Sequence, residues 1–213
     1  MLLISFLLIG AAFVAASPHP LNRTQEACNT LSKLYPNSTF FPGSSRYDFE
    51  NTCKKAFLFH YSRLLSCTLD PWSAEAWLGP ACAFCPYKSE MVSIAVQLFS
   101  ANQVLFSIRG GGAMPVKDAA NIGPEGILIS STNMTSLEIS DDRQVLSVGS
   151  GVRWPEVYSY LEPYNVIVNG IRIGDVGVVG FILGGGIGFF SYEHGLAATG
   201  VKEFEVFYRP PFV

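Results

Sequence analysis

SIRGGGAMPV, Ser107 to Val116, is a short apolar approach, an arginine, three consecutive glycines and an alanine. Three positions without a Cβ let a backbone turn freely or let something come unusually close to it. The surroundings decide between these. After Pro86, residues Met91, Ile94, Ala95, Leu98 and Phe99 recur at helical spacing with Glu90 near the start, which predicts a helix from about Lys88 to Asn102. Val104 to Ile108 then reads as a buried strand ending at the glycine run, and Gly126 to Ser131 as a second strand.

The pattern continues on both sides. Leu137–Ser140 and Gln144–Val148 flank Asp141-Asp142-Arg143 with apolar residues at alternate positions, predicting a β-hairpin. Pro155 suits the first turn of a helix ending near Leu161, with Val157 and Leu161 on one face. Val166–Asn169 and Phe204–Tyr208 read as short strands, whereas Ser17 to about Asp70 is polar and irregular, with a basic, aromatic stretch from Cys53 to Asp70. Helices and strands mixed around a central hairpin indicate an α+β or mixed α/β fold.

The 213 residues are 49% hydrophobic and only 15% charged, enough for one sizeable core. A net charge of -3 with no basic stripe argues against a nucleic-acid partner. MLLISFLLIGAAFVAA, residues 1–16, is uncharged and ends in small residues, so a secretory signal peptide is expected. It is shorter than the ~20 apolar residues of a membrane span, and no stable span is expected after its removal. Sequons at Asn22, Asn37 and Asn133 fit a secreted glycoprotein. Cys28, Cys53, Cys67, Cys82 and Cys85 predict one or two disulfides and an unpaired thiol; Cys82 and Cys85 have CxxC spacing, but no second pair or nearby histidine completes a metal site.

Ile173 to Gly195 is the second glycine-rich segment. Asp175 and Glu193 leave too short an uncharged run for a membrane helix, and neither a dinucleotide fingerprint nor a Walker loop is present. Two glycine turns about seventy residues apart suit a different role, because successive N–H groups form an anion nest and missing Cβ atoms admit a pyrophosphate. Arg109 would add positive charge, and a large dinucleotide would touch both segments.

Trp72-Ser73, Pro80-Ala81-Cys82, Arg109-Gly110-Gly111-Gly112, Gly126-Ile127-Leu128-Ile129, Val148-Gly149-Ser150-Gly151 with Arg153-Trp154, and Gly180 followed by Leu183-Gly184-Gly185-Gly186 occur in that order. This series resembles the PCMH-type FAD-binding domain of the vanillyl-alcohol-oxidase superfamily, in its berberine-bridge-enzyme-like branch and especially the secreted fungal oxidoreductases. The resemblance implies a two-lobed FAD domain over residues 72–213, with residues 17–71 as an N-terminal segment carrying a non-family insert at 53–70. It also implies that the domain is C-terminally incomplete and lacks the substrate-binding part.

Carried over by position, Arg109, Gly110, Gly111, Gly112, Ala113 and Met114 form the pyrophosphate turn. Asn133 follows the second strand, Gly174, Val178, Gly180, Gly184, Gly185 and Gly186 face the cofactor from the other side, and Val206 lies where backbone groups receive the adenine. Relatives commonly place at position 113 a histidine bonded to the flavin; Ala113 has no nucleophilic nitrogen, so FAD is expected to be noncovalent. The implied function is oxidation of an alcohol, sugar or alkaloid-like small molecule by hydride transfer to FAD, with oxygen as acceptor. The alternative is an FAD-binding remnant without turnover. His194 reads as an exposed or structural residue, Tyr158 and Tyr160 as packing residues, Asp175 and Glu193 as an unsupported acid pair, and no catalytic residue is assigned.

Overall fold

Helix α1 (Pro20–Leu34) buries Thr24, Ala27, Cys28 and Leu31, the i, i+3, i+4, i+7 set of one helical face. It opens a computed structural model that describes residues 20–52, 73–174 and 176–208. The signal peptide, the 53–70 insert, Trp72, Cys53, Cys67, His19, His60, Asp175 and the tail after Tyr208 lie outside the described residues. The irregular reading of the N-terminal segment is corrected over α1 and over helix α2 (Ser45–Thr52). Their buried stripes hold Thr, Cys and Glu beside apolar residues, so the helical period is poorly visible in hydropathy.

Four strands form one sheet: β1 (Thr39–Phe40), β2 (Cys82–Phe84), β3 (Leu105–Arg109) and β4 (Gly126–Ser130), in the order β1-β2-β4-β3. The β1–β2 pair is antiparallel and the other two pairs are parallel. All five residues of β4 are buried, as for a strand covered on both faces. Helix α3 (Ser89–Asn102) packs Met91, Ala95 and Phe99 against one face with Cys28, Leu31, Phe84, Ile127 and Ile129. Tyr47, Ala83 and Leu128 gather in a second cluster. The expectation that β3 is buried is corrected: it is an edge strand, with Leu105 61% and Ile108 58% exposed. Its apolar run looks internal in sequence because hydropathy does not report which strand has a neighbour on both sides.

A disulfide joins Cys28 of α1 to Cys82 of β2 across 54 residues of sequence. Cys85 is a free, buried thiol, so the CxxC spacing is not a redox pair. Burial, followed by the negative charge of Glu50, pushes the Cys85 thiol well above its ordinary range.

A second core follows. The hairpin β5 (Leu137–Ile139) and β6 (Leu146–Val148) is antiparallel, as its alternation predicts. Helix α4 (Trp154–Leu161) places Trp154, Val157 and Leu161 in a cluster with Val152 and with Val178 of helix α5 (Val178–Leu183). Two cores, one around the sheet and one around α4, give the α+β, two-lobed architecture that the sequence led us to expect.

The strands expected at Val166–Asn169 and Phe204–Tyr208 do not form. Asn169 instead binds a loop through its side chain: Nδ2 donates to the Gly195 carbonyl at 2.9 Å and Oδ1 accepts from the Phe190 N–H at 3.2 Å. Phe204, Val206 and Tyr208 are exposed, and apolar alternation without a partner ladder makes no strand. Tyr158 and Tyr160 pack on the second core as expected. The Tyr158 hydroxyl donates to the Ile171 carbonyl at 2.5 Å, and burial raises its pKa.

Replacing both Cys28 and Cys82 by serine should cost about 2–4 kcal/mol of stability, because the open chain regains loop entropy. Urea unfolding of oxidised wild type against the double variant measures it; equal midpoints would show that α1 is held by packing alone.

Candidate functional site

The turn after β3 begins with a charge that goes inward. Arg109 is fully buried; its Nη1 donates to the Glu50 carbonyl at 2.5 Å and its Nη2 to Glu50 Oε2 at 2.7 Å. The same carboxylate oxygen accepts from Ser130 Oγ at 2.7 Å and Thr132 Oγ1 at 3.1 Å, while Arg46 Nη2 lies 2.9 Å from Oε1. A buried carboxylate needs this many partners to remain inside. The expectation that the Arg109 side chain lends its charge to the glycine turn is therefore corrected, since Glu50 engages that charge. Its carbonyl helps hold the turn, accepting from Ser131 Oγ at 3.1 Å.

The glycines come next. A Cβ on Gly111 would lie 2.5 Å from Gly177 Cα, and one on Gly177 would lie 2.6 Å from Gly111 N. Those two backbones therefore touch, and the contact closes the first lobe on the second. Gly177 is fixed from its other side by a bridge to Arg153, flanked by bonds from Trp154 N to Val176 O at 3.1 Å and Val178 N to Val152 O at 3.0 Å. Gly112 takes φ +66°, a left-handed turn that suits glycine.

Beyond Gly111 the chain opens outward: Ala113 is half-buried and Met114 is 50% exposed. Among the described residues, none of the N–H groups of Gly110 to Met114 has a hydrogen-bond acceptor, although Gly111 and Gly112 are buried. Buried N–H groups without acceptors are rare in folded proteins. A run of them at a left-handed glycine has the form of an anion nest.

The other expected site residues divide. Gly180 is exposed, and beyond its own stretch of helix no atom lies within 4 Å of where a Cβ would sit, so its face is open. Gly184 to Gly186 end α5: the Gly184 N–H donates to the Gly180 carbonyl at 3.2 Å, and Gly185 and Gly186 have positive φ. A Cβ on Gly186 would meet Ala197 Cβ at 2.8 Å, so packing alone demands that glycine. Gly174 is exposed beside Pro155, Val178 is buried in the second core, and Val206 is exposed on an irregular segment.

Asn133 is held inside the first lobe, its Nδ2 donating to the Cys85 carbonyl at 3.2 Å and its Oδ1 accepting from Arg46 at 3.1 Å. His194 is exposed, 3.9 Å from the Glu193 carboxylate. Two residues at the junction were not assigned to the site from sequence, Gly177 and Arg153. Gly177 belongs to the second glycine segment and Arg153 to the motif before Trp154, but sequence does not show that they converge on Gly111.

The nest, the open face at Gly180 and the absence of side chains along the turn fit the pyrophosphate of a dinucleotide. A family model described as an FAD binding domain matches residues 80–210. The chain is 34% identical over 199 residues to an FAD-dependent monooxygenase of Penicillium roqueforti, covering 93% of this chain and 35% of that protein. It is 44% identical over 135 residues to an FAD-dependent monooxygenase of Arthrobotrys oligospora, covering 63% and 26%. The chain thus spans about a quarter to a third of the length of these relatives.

Among solved structures, it is similar to BBE-like 1 of Physcomitrella patens, with a TM-score of 0.60 and 23% identity over 83% of this chain and 34% of that one. It is also similar to 6-hydroxy-D-nicotine oxidase of Arthrobacter nicotinovorans, with a TM-score of 0.61 and 21% identity over 76% and 32%. These two likenesses establish the fold.

Replacing Gly111 by alanine should cost about 1–3 kcal/mol, because backbone faces backbone and neither side can rotate away. Thermal unfolding of the Gly111→Ala chain tests this. An unchanged melting curve would mean that the two lobes are not held at this contact.

Proposed function

We propose, since the chain belongs to the family of FAD-binding domains, that it binds FAD across its two lobes and carries it for the oxidation of a small organic molecule. The observation that carries this reading is the run of N–H groups from Gly110 to Met114 that have no acceptor among the described residues, set against the second glycine segment at Gly177. When bound, FAD supplies the redox chemistry, accepting a hydride and passing electrons on, with oxygen as the proposed acceptor. The chain contributes binding and orientation. Gly111 and Gly112 offer N–H groups to the pyrophosphate, and Gly180 leaves room for the cofactor beside α5.

The bond to FAD is noncovalent in this reading. Ala113, half-buried at the end of the turn, presents a methyl group with no nitrogen or sulfur to attach. The substrate is a small molecule of alcohol, sugar or alkaloid-like type, and its selection belongs to the whole protein. A secreted location is supported by the apolar leader, the Cys28–Cys82 disulfide and the exposed Asn22 and Asn37. Asn133 is a poorer glycosylation acceptor, because its amide nitrogen already donates to Cys85.

Purified chain mixed with FAD and passed through a desalting column should keep a flavin absorption band, and acid precipitation should release all the flavin into the supernatant. A colourless protein would overturn FAD binding, and flavin remaining with the pellet would overturn the noncovalent bond. Gly180→Ala separates the cofactor role from a folding role. It should leave apoprotein stability unchanged or raise it by up to about 1 kcal/mol through helix propensity, while weakening FAD binding in a fluorescence titration. Unaltered FAD affinity would place Gly180 outside the cofactor's path.

A further inference from the structure

We propose that residues 204–208 are a strap that closes on the open edge of β3 as an antiparallel fifth strand of the sheet and so ties the second lobe to the first. Two lengths of chain without partners lie side by side here. Beyond its ladder to β4, the backbone of residues 105–108 has no hydrogen-bond partner among the described residues, and the backbone of residues 202–208 has none at all. Between them lies a groove of about 340 Å³ whose lining includes Val96, Phe99, Leu105, Phe106, Ile108 and Phe207. The strap thus already contributes to the wall of the groove that it closes.

The direction of the strap follows from two contacts. Helix α3 turns into β3 through Gln103 and Val104, and Phe99 packs on Phe106 with ring centroids 5.2 Å apart, so β3 runs back along the helix. Ser89 Oγ, at the start of α3, donates to the Glu205 carboxylate at 2.7 Å. Two residues later Phe207 faces the groove beside Val96 and Phe99, further along the helix. The strap therefore runs with α3 and against β3, which is the sense of an antiparallel partner. At the other edge of the same sheet β1 is already antiparallel to its neighbour, and an antiparallel edge strand on an otherwise parallel sheet is a common arrangement.

The composition of both lengths suits pairing. Residues 105–108 read Leu-Phe-Ser-Ile, without the charge or proline that commonly guards an exposed edge. Residues 204–208 read Phe-Glu-Val-Phe-Tyr, four strand formers around one acid, and Ser89 engages that acid. The residues just before the strap belong to the second lobe, where the Ala197 N–H donates to the Gly186 carbonyl at 2.8 Å. A closed strap would hold the lobes together separately from the Gly111–Gly177 contact, with or without a cofactor.

Hydrogen exchange of the whole chain, read by mass spectrometry on peptides covering β3, β4 and the strap, tests the proposal. In wild type the strap should exchange slowly, at a rate that does not depend on protein concentration. Phe207→Ser, which withdraws the aromatic ring from the groove, should speed exchange in the strap and in β3 ~10-fold or more, as the loss of backbone bonds requires, and leave β4 unchanged. If β4 also accelerates, the comparison is made with Glu205→Ala, which releases the strap from Ser89 at an exposed position. Strap amides that exchange as fast in wild type as in unfolded chain, or β3 exchange unaltered by both substitutions, overturn the proposal. Protection that rises with protein concentration in step with a dimer in sedimentation also overturns it, because a second copy then supplies the partner strand.

Discussion

Two glycine backbones in contact, Gly111 and Gly177, set the geometry on which the site depends. Each lobe has its own hydrophobic cluster. At the junction, strand β3 of one lobe ends against a bridge between Arg153 and Gly177 of the other. Side chains there would hold the lobes apart by their own thickness. With none, the two backbones meet directly.

The buried Glu50–Arg109 pair serves the same junction from behind. It draws α2, β3 and β4 together, because Glu50 comes from α2, Arg109 from β3 and Ser130 from β4. Such a pair returns little net stability for its desolvation, but it requires those elements to meet in one arrangement. Arg109 therefore serves the scaffold and not the glycine turn that it adjoins in sequence.

Much of this was legible in sequence where local pattern and final environment agreed. Helix α3, strand β4, the β5–β6 hairpin and helix α4 all keep their period because each packs one clear apolar set. Helix α1 was missed because its buried face includes Thr24 and Cys28. Strand β3 was found but not its exposure, since edge position is a property of the whole sheet. The glycine turn was recognised from its composition, yet its contacts were not: that Arg109 turns inward to Glu50, and that Gly177 is the turn's neighbour, follow from how distant segments meet. Asn133, Gly186 and Gly112 show the same limit, because polar residues and glycines are demanded by packing or backbone shape as readily as by ligands.

Cys85 stands three residues after Cys82, whose sulfur is bonded to Cys28, so this chain keeps a thiol close in sequence to its own cross-link. Disulfide exchange needs a thiolate with access to a sulfur. Cys85 is buried beside the carboxylate of Glu50, and both burial and that negative charge oppose ionisation. After burial itself, the residue that anchors Arg109 is what most disfavours ionisation of this thiol. The carboxylate that ties α2, β3 and β4 together therefore also makes Cys85 a poor attacker of the neighbouring cross-link.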